Sequence, residues 1–328
     1  RISKVDPDLA KQEGEKAMND PVGFILTNED NFNHSLHGSV MPLWQICQSW
    51  NDTRMGAGME EVLLGYNDPR LEKWFQRVPA SVKIKKGEVD VEVKLDSLWA
   101  DHPDKPYKGI ASGSYIAAKD DRLNYSKVST FFQTVNERKL LQAAEVNFAL
   151  AEAKLRGWTG ANATKTVGEY YEDGVRASMA EWNVTGAKAD AYIADDTSLP
   201  INYVDPVDSQ NSYETRQKLT IKWDDAAEPE VKLERIMTQK WIASFTNANE
   251  IWSDHRRTGY PKLHYVPKND SNELWGTIGR EDFIKRMPFV LAERQNNAAG
   301  LVEATKKLGP GGDKISTRLW IHPEGPNF

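Results

Sequence analysis

The sequence predicts a mostly α fold: helix pairs with long irregular loops and a small β-hairpin insertion. Three observations lead there. Apolar residues recur at three- and four-residue steps over 137–156, 163–182 and 229–252, the spacing that gathers them on one helix face. Gly157 and Gly160 punctuate the gap between the first two of these segments, as a tight helix–helix turn requires. Strict two-residue alternation is confined to 82–95. No stretch reads as an interdomain linker, so the chain is taken as one domain over residues 1–328.

In chain order, Asp6-Pro7 supplies an N-cap followed by proline in the first helical turn, and that helix runs to about Asn19, before Pro21. Residues 22–40 are rich in Asn, Gly and Ser and read as loop. A helix is expected over 53–65, ending at Gly65, with a short one after Asp68-Pro69. In 82–95, Val82 and Ile84, then Val89, Val91, Val93 and Leu95 alternate around Lys86-Gly87, which predicts a hairpin with one apolar face. Residues 99–126 read as loop and short strand.

Leu141, Ala144, Phe148, Ala151 and Leu155 form the stripe of the 137–156 helix. Val167, Tyr171, Val175, Ser178 and Trp182 form that of 163–182, where Gly174 permits close helix approach. The pair resembles one tetratricopeptide unit, which cannot bury its own face without neighbouring repeats. Residues 195–228 read as a long polar connection. The 229–252 helix carries Leu233, Met237, Trp241 and Ser244, flanked by Ile236 and Ala243, and the tail from 260 is expected to be mostly irregular.

Composition excludes several classes. The 328 residues include 27% charged and 39% hydrophobic side chains, a globular rather than disordered balance. No apolar run approaches the roughly eighteen residues of a membrane-spanning helix. Net charge is −6 and basic residues are scattered, which argues against a nucleic-acid partner. Cys47 is the only cysteine, so neither an internal disulfide nor a cysteine-based metal site can form, and it reads as a small buried hydrophobe.

Catalytic and cofactor signatures are weak throughout, and no cofactor or metal is expected. His34 and His37 are the only close histidine pair, in a loop with no evident third ligand. Gly309-Pro310-Gly311-Gly312-Asp313-Lys314 lacks the order of a phosphate-binding loop. Glu145, Glu152 and Glu250 sit in helices dominated by packing. Glu145 and Glu152 are seven apart on one face, where they can hold neighbouring backbone or arginine groups. Arg256-Arg257 precede a Gly and Pro stop and suit the last turn of a helix.

Eleven tryptophans are the surplus that points to a ligand. An indole stacks on the apolar face of a sugar while amide, carboxylate and guanidinium groups read its hydroxyls. Trp44, Trp50, Asn51, Asp52 and Arg54 group these types just before a predicted helix, where loops present binding residues. The competing reading packs both indoles in the core. Trp99, Asp101, His102 and Tyr107 form a similar group after the hairpin, and Trp275 is a third candidate. Trp158, Trp182, Trp241 and Trp252 lie on helices or at their tight turn and read as packing residues.

Four blocks also carry a family resemblance. They are Asn67-Asp68-Pro69-Arg70-Leu71; Ala144-Glu145-Val146-Asn147-Phe148-Ala149-Leu150-Ala151-Glu152-Ala153 with Arg156-Gly157-Trp158; Gln239 to Phe245 with Glu250-Ile251-Trp252 and Arg256-Arg257-Thr258-Gly259-Tyr260-Pro261; and Arg286-Met287-Pro288-Phe289-Val290 with Glu293 and Asn296-Asn297. In this order they resemble the SusD/RagB family, with Phe289 and Met287-Pro288 departing from its usual residues. Arg1-Ile2-Ser3-Lys4-Val5-Asp6-Pro7 is similar to a mid-chain landmark of that family, which implies the C-terminal portion of a longer protein. The resemblance implies a tetratricopeptide-like scaffold and a non-enzymatic role in capturing an oligosaccharide or polysaccharide, or in some branches a peptide, at the outer-membrane surface. It also implies a lipid anchor in the N-terminal part and a SusC-like TonB-dependent transporter as partner. The shared motifs look like scaffold, so no binding residue is carried over. A helical glycan-processing enzyme and a protein-binding repeat module remain the alternatives.

Overall fold

A computed structural model describes residues 2–37, 42–94, 106–116 and 118–328. It is helical, with two small antiparallel sheets among the described residues. Helix α1 (Pro7–Met18) begins as expected, with the Asp6 side chain accepting from the Leu9 amide at 2.9 Å. Strand β1 (Phe32–Ser35) lies inside the segment expected to be loop. A short turn, α2 (Pro42–Trp44), runs into a π-helical turn at Gln45–Ser49. Helix α3 (Ala57–Gly65) starts after Gly56, later than the predicted 53, and the short α4 (Leu71–Trp74) follows Asp68-Pro69 as predicted.

The hairpin is present as β2 (Ser81–Lys86) and β3 (Val89–Lys94), pairing Val82 with Val93 and Ile84 with Val91. Gly87 takes the left-handed φ of 67° that its tight turn needs.

The 137–156 segment is not one helix. Its first part is strand β4 (Glu137–Leu141), paired antiparallel with β1, and helix α5 begins at Ala143 and runs to Leu155. Leu141, assigned to the apolar stripe, is therefore exposed on the strand. The boundary is set from a distance: Asn31 Oδ1 accepts from the Ala143 amide at 2.7 Å and Asn33 Oδ1 from Gln142 at 3.0 Å. The side chain of Gln142, the residue at the N-cap position, supplies no cap.

Helix α6 (Val167–Glu181) opens on a capping box between Thr166 and Glu169. Gly174 faces α5, where a Cβ would come within 2.8 Å of the Phe148 ring, so glycine sets the spacing of the two helices. Helix α7 (Ala187–Ile193) was not anticipated. The predicted 229–252 helix is broken into α8 (Pro229–Ala243) and α9 (Ala248–Thr258). Thr246, at φ 80°, turns the chain between them. The tail is mostly irregular but includes α10 (Leu291–Asn296) and α11 (Ala298–Lys306).

Helices α5, α6 and α8 pack on one another. Their core holds Phe148, Tyr171, Val175, Met179, Leu233, Ile236 and Met237. The polar 195–228 connection lies against this core: Tyr171 Oη donates to the Ile221 carbonyl and Tyr66 Oη to that of Leu219. An aromatic cluster closes one end, with Trp74 stacked on Phe245 at 4.7 Å and edge-on to Trp182 at 5.6 Å.

Buried ion pairs tie the frame together. Arg70 donates to both carboxylate oxygens of Asp68, at 2.9 and 2.6 Å, and to Ser178 at 2.7 Å. Arg257 forms a two-pronged pair with Glu152, at 2.5 and 2.7 Å, joining α9 to α5, and Arg156 approaches the same carboxylate at 2.9 Å. Arg257 is thus structural, as the sequence predicts for it.

Candidate functional site

The chain between α2 and α3 is shaped by its own backbone. The Trp50 and Asp52 amides donate to the carbonyls of Gln45 and Ile46, each at 3.0 Å. Asn51 then takes a left-handed φ of 60°, which asparagine tolerates well. Buried Cys47 anchors the segment, accepting from the Val128 amide at 3.4 Å. It is the small buried residue its sequence context suggests.

Arg54 is committed to this loop. Its guanidinium donates to Asn51 Oδ1 at 2.7 Å, to the Thr53 carbonyl at 2.7 Å and, from Nε, to the Arg122 carbonyl at 3.0 Å. Asn51 and Arg54 thus brace each other and hold the loop to the turn at Lys119–Asn124. The Arg54 donors face protein, while Trp50 and Asp52 are exposed to solvent. Trp50 is 60% exposed, a large indole area left in water beside the exposed Asp52 carboxylate, which interacts electrostatically with Arg54. Trp44 is half-buried against the core.

The other candidates lie elsewhere. Trp99 and His102 fall outside the described residues. Tyr107 is only 3% exposed, with the Arg77 guanidinium 5.7 Å from its ring centre, so its ring packs inward instead of forming a surface platform. Trp275 is 37% exposed in the loop around 269–278. Its amide donates to Asn272 Oδ1 at 3.4 Å and its carbonyl accepts from Ile315 at 2.7 Å. The Arg294 guanidinium lies 5.0 Å from the Trp275 ring centre and is itself paired with Asp313. Among the described residues, no hydrogen bond or ring contact joins Trp275 to the 44–54 loop.

Two features escaped the sequence. Trp320, in the irregular tail, is 74% exposed. Trp241, which packs on the core as the sequence predicts, and Trp252 are half-buried and also line an apolar cavity of roughly 560 Å³. No pattern marks Trp320, and a helical stripe looks the same whether it faces a core or a cavity wall. Trp158 and Trp182 do pack: the first lies against Gly14 of α1 and the second ends α6 in the aromatic cluster. No group of three or more His, Cys, Asp or Glu suited to a metal occurs among the described residues.

A family model described as SusD-like, the SusD and RagB outer membrane lipoproteins, matches residues 1–322. The chain belongs to the SusD-like family. Among solved structures, a chitin-binding SusD homologue from Flavobacterium johnsoniae is 38% identical with a TM-score of 0.85, over 100% of this chain and 61% of that one. A SusD homologue from Bacteroides vulgatus is 32% identical, with a TM-score of 0.82, over 100% of this chain and 60% of its own. One from Bacteroides thetaiotaomicron is 29% identical, with a TM-score of 0.79, over 99% and 63%. The chain thus spans about three fifths of the length of these relatives. No curated protein matched it.

Charged residues of three of the SusD-like motif blocks are buried in the frame. Asp68 and Arg70 are a buried pair at the turn before α4, and Glu152 and Arg257, from two separate motif blocks, meet across α5 and α9.

Proposed function

We propose that this SusD-like chain takes part in non-enzymatic capture of an oligosaccharide or polysaccharide at the outer-membrane surface. The glycan is delivered to a SusC-like TonB-dependent transporter, and a lipid anchor in an N-terminal part holds the protein at the membrane. The observation that carries this reading is Trp50: an indole 60% exposed, beside exposed Asp52, on a loop stiffened by the Asn51–Arg54 brace. A rigid aromatic platform next to a hydrogen-bond acceptor is the chemistry of sugar recognition. The 38%-identical chitin-binding relative, matched along the whole chain, supports a glycan as ligand and points first to β-linked N-acetylglucosamine oligomers. Trp275 and Trp320 are secondary candidates, and Trp99 and His102 stay with the proposal on sequence grounds.

An open platform with few stacking contacts gives affinity in the micromolar range, about −8 kcal/mol. Isothermal titration with N-acetylglucosamine oligomers and a panel of other soluble glycans and peptides tests this. Binding without release of reducing ends, weakened about tenfold by Trp50→Ala (~1.4 kcal/mol), supports the reading. Glycan affinity unchanged in Trp50→Ala rejects the site. Binding of peptides alone moves the ligand class to peptide.

A further inference from the structure

A polar hollow of roughly 490 Å³ opens where the last turn of α9 meets the start of the chain and the 281–285 and 318–325 segments. Its size is that of a small-ligand site. Six cations line it, Lys4, Arg216, Arg256, Arg257, Lys285 and Arg318, against three acids, Glu281, Asp282 and Glu324. Three of the cations are held by the protein. Arg257 is paired with Glu152, Lys285 with Asp282, and the Arg256 guanidinium lies 3.9 Å from the Trp252 ring centre.

Lys4, Arg216 and Arg318 are different. All three are half-buried. Lys4 Nζ donates to the Gly325 carbonyl and Arg216 Nη1 to that of Leu263, each at 2.7 Å, and among the described residues neither forms an ion pair with a carboxylate. Arg318 meets Glu324 through Nε alone, at 3.0 Å, and the Glu324 side chain is 80% exposed. Arg216 Nε and Nη2 and both terminal nitrogens of Arg318 make no hydrogen bond among the described residues, and they are not buried. They are donors open to solvent.

Neighbouring groups register the excess of positive charge. Burial and then Arg318 lower the Lys4 pKa, Glu230 opposes them, and Arg257 and Arg156 add to the lowering. Burial, then Lys285 and Arg216, bring His255 down to about 4. The carbonyls at the end of α9 do not supply the missing negative charge, because they are already engaged. That of Asp254 accepts from Thr258 Oγ1 at 2.8 Å, that of His255 from the Gly259 amide at 2.8 Å, and that of Thr258 from Asn327 at 3.0 Å. A cleft lined by one sign of charge concentrates its counter-ion, and a carboxylate is the planar partner of a guanidinium fork.

We propose that this hollow is a second binding site, separate from the Trp50 loop, for a small hydroxylated carboxylate of the size of one sugar acid. Arg216 and Arg318 hold the carboxylate from two sides, and Lys4 adds its charge.

Glucuronate, glucose and acetate serve as probes: glucose lacks the charge, and acetate lacks the ring. Binding is followed through the Nε–H signals of Arg216 and Arg318 in protein labelled with ¹⁵N-arginine. Glucuronate should shift both signals saturably and bind at least about tenfold more tightly than glucose or acetate. Arg216→Gln should weaken glucuronate about tenfold, with the Arg318 signal as readout, and Trp50→Ala should leave it unaffected. Should Arg216→Gln fail to give a folded spectrum, Lys4→Gln carries the same comparison. Absence of saturable shifts, glucose or acetate binding as tightly as glucuronate, unchanged glucuronate affinity in the folded cation variant, or its loss in Trp50→Ala would overturn the proposal.

Discussion

Replacing Arg257 by glutamine removes one of the two cations that hold the Glu152 carboxylate inside the helical frame. Burial alone would raise the Glu152 pKa, but Arg257 and then Arg156 outweigh it and bring it from the usual 4.5 down to about 2. At 1.36 kcal/mol per pH unit that depression corresponds to about 3 kcal/mol of stabilisation of the charged form. Loss of one partner of a buried pair costs about 3–5 kcal/mol. Arg156 remains at 2.9 Å, so the lower end, about 3 kcal/mol, is the expected loss for Arg257→Gln. Because the folded-state pKa is depressed, this contribution is fully present above about pH 4.5 and is lost as pH falls towards 2. The assay is urea unfolding followed by circular dichroism at pH 7 and at steps down to pH 3, for wild type, Arg257→Gln, Glu152→Gln and the double variant. Wild type should lose stability over the acid range more steeply than Glu152→Gln, and the double variant should be less damaged than the sum of the singles. A loss below about 1 kcal/mol in Arg257→Gln at pH 7, with additive singles, would refute the reasoning.

Burial raises Glu61 to about 7, with Thr215, Tyr213 and Lys218 pulling the other way, so its contribution runs in the opposite sense. It is present below about pH 4.5 and lost as pH rises through 7, and Glu61→Gln should lose less stability than wild type between pH 5 and 8 in urea unfolding. Gly174→Val should cost about 1–3 kcal/mol by thermal unfolding, because a Cβ there already meets the Phe148 ring at 2.8 Å. Thr246→Gly should raise stability by about 1 kcal/mol, since a β-branched residue is strained at φ 80°, and an unchanged midpoint would count against that strain. Lys108→Met leaves Glu60 buried without its 2.9 Å partner and should destabilise by about 3–5 kcal/mol in the same assay.

What could be read from the sequence was whatever local pattern decides. The hairpin was legible because alternation from Val82 to Val93 has no helical reading, and α6 because the stripe from Val167 to Trp182 agrees with its glycine. The start of α5 was not legible, because Glu137–Leu141 are committed to β1, about a hundred residues upstream. The break between α8 and α9 has no proline and hangs on the conformation of Thr246. At the site, loop placement picked out Trp50, which is exposed, but the same reasoning offered Tyr107, whose ring is buried beside the Arg77 guanidinium. Arg54 looked like a ligand group, yet its donors are taken up by carbonyls and an amide that only the folded loop brings near.

The bond from Asn31 to the first amide of α5 crosses 112 positions of chain. Long-range closures of this kind slow folding because loop entropy is lost before the contact returns anything. Residues after Ala143 can form helical turns in microseconds by themselves, but where α5 starts is fixed only when β1 has found β4. As the chain emerges from a ribosome β1 therefore waits, unpaired, while the hairpin and α3 are made. If β1–β4 pairing is formed in the transition state, Asn31→Ala should lower the rate of refolding as well as the stability.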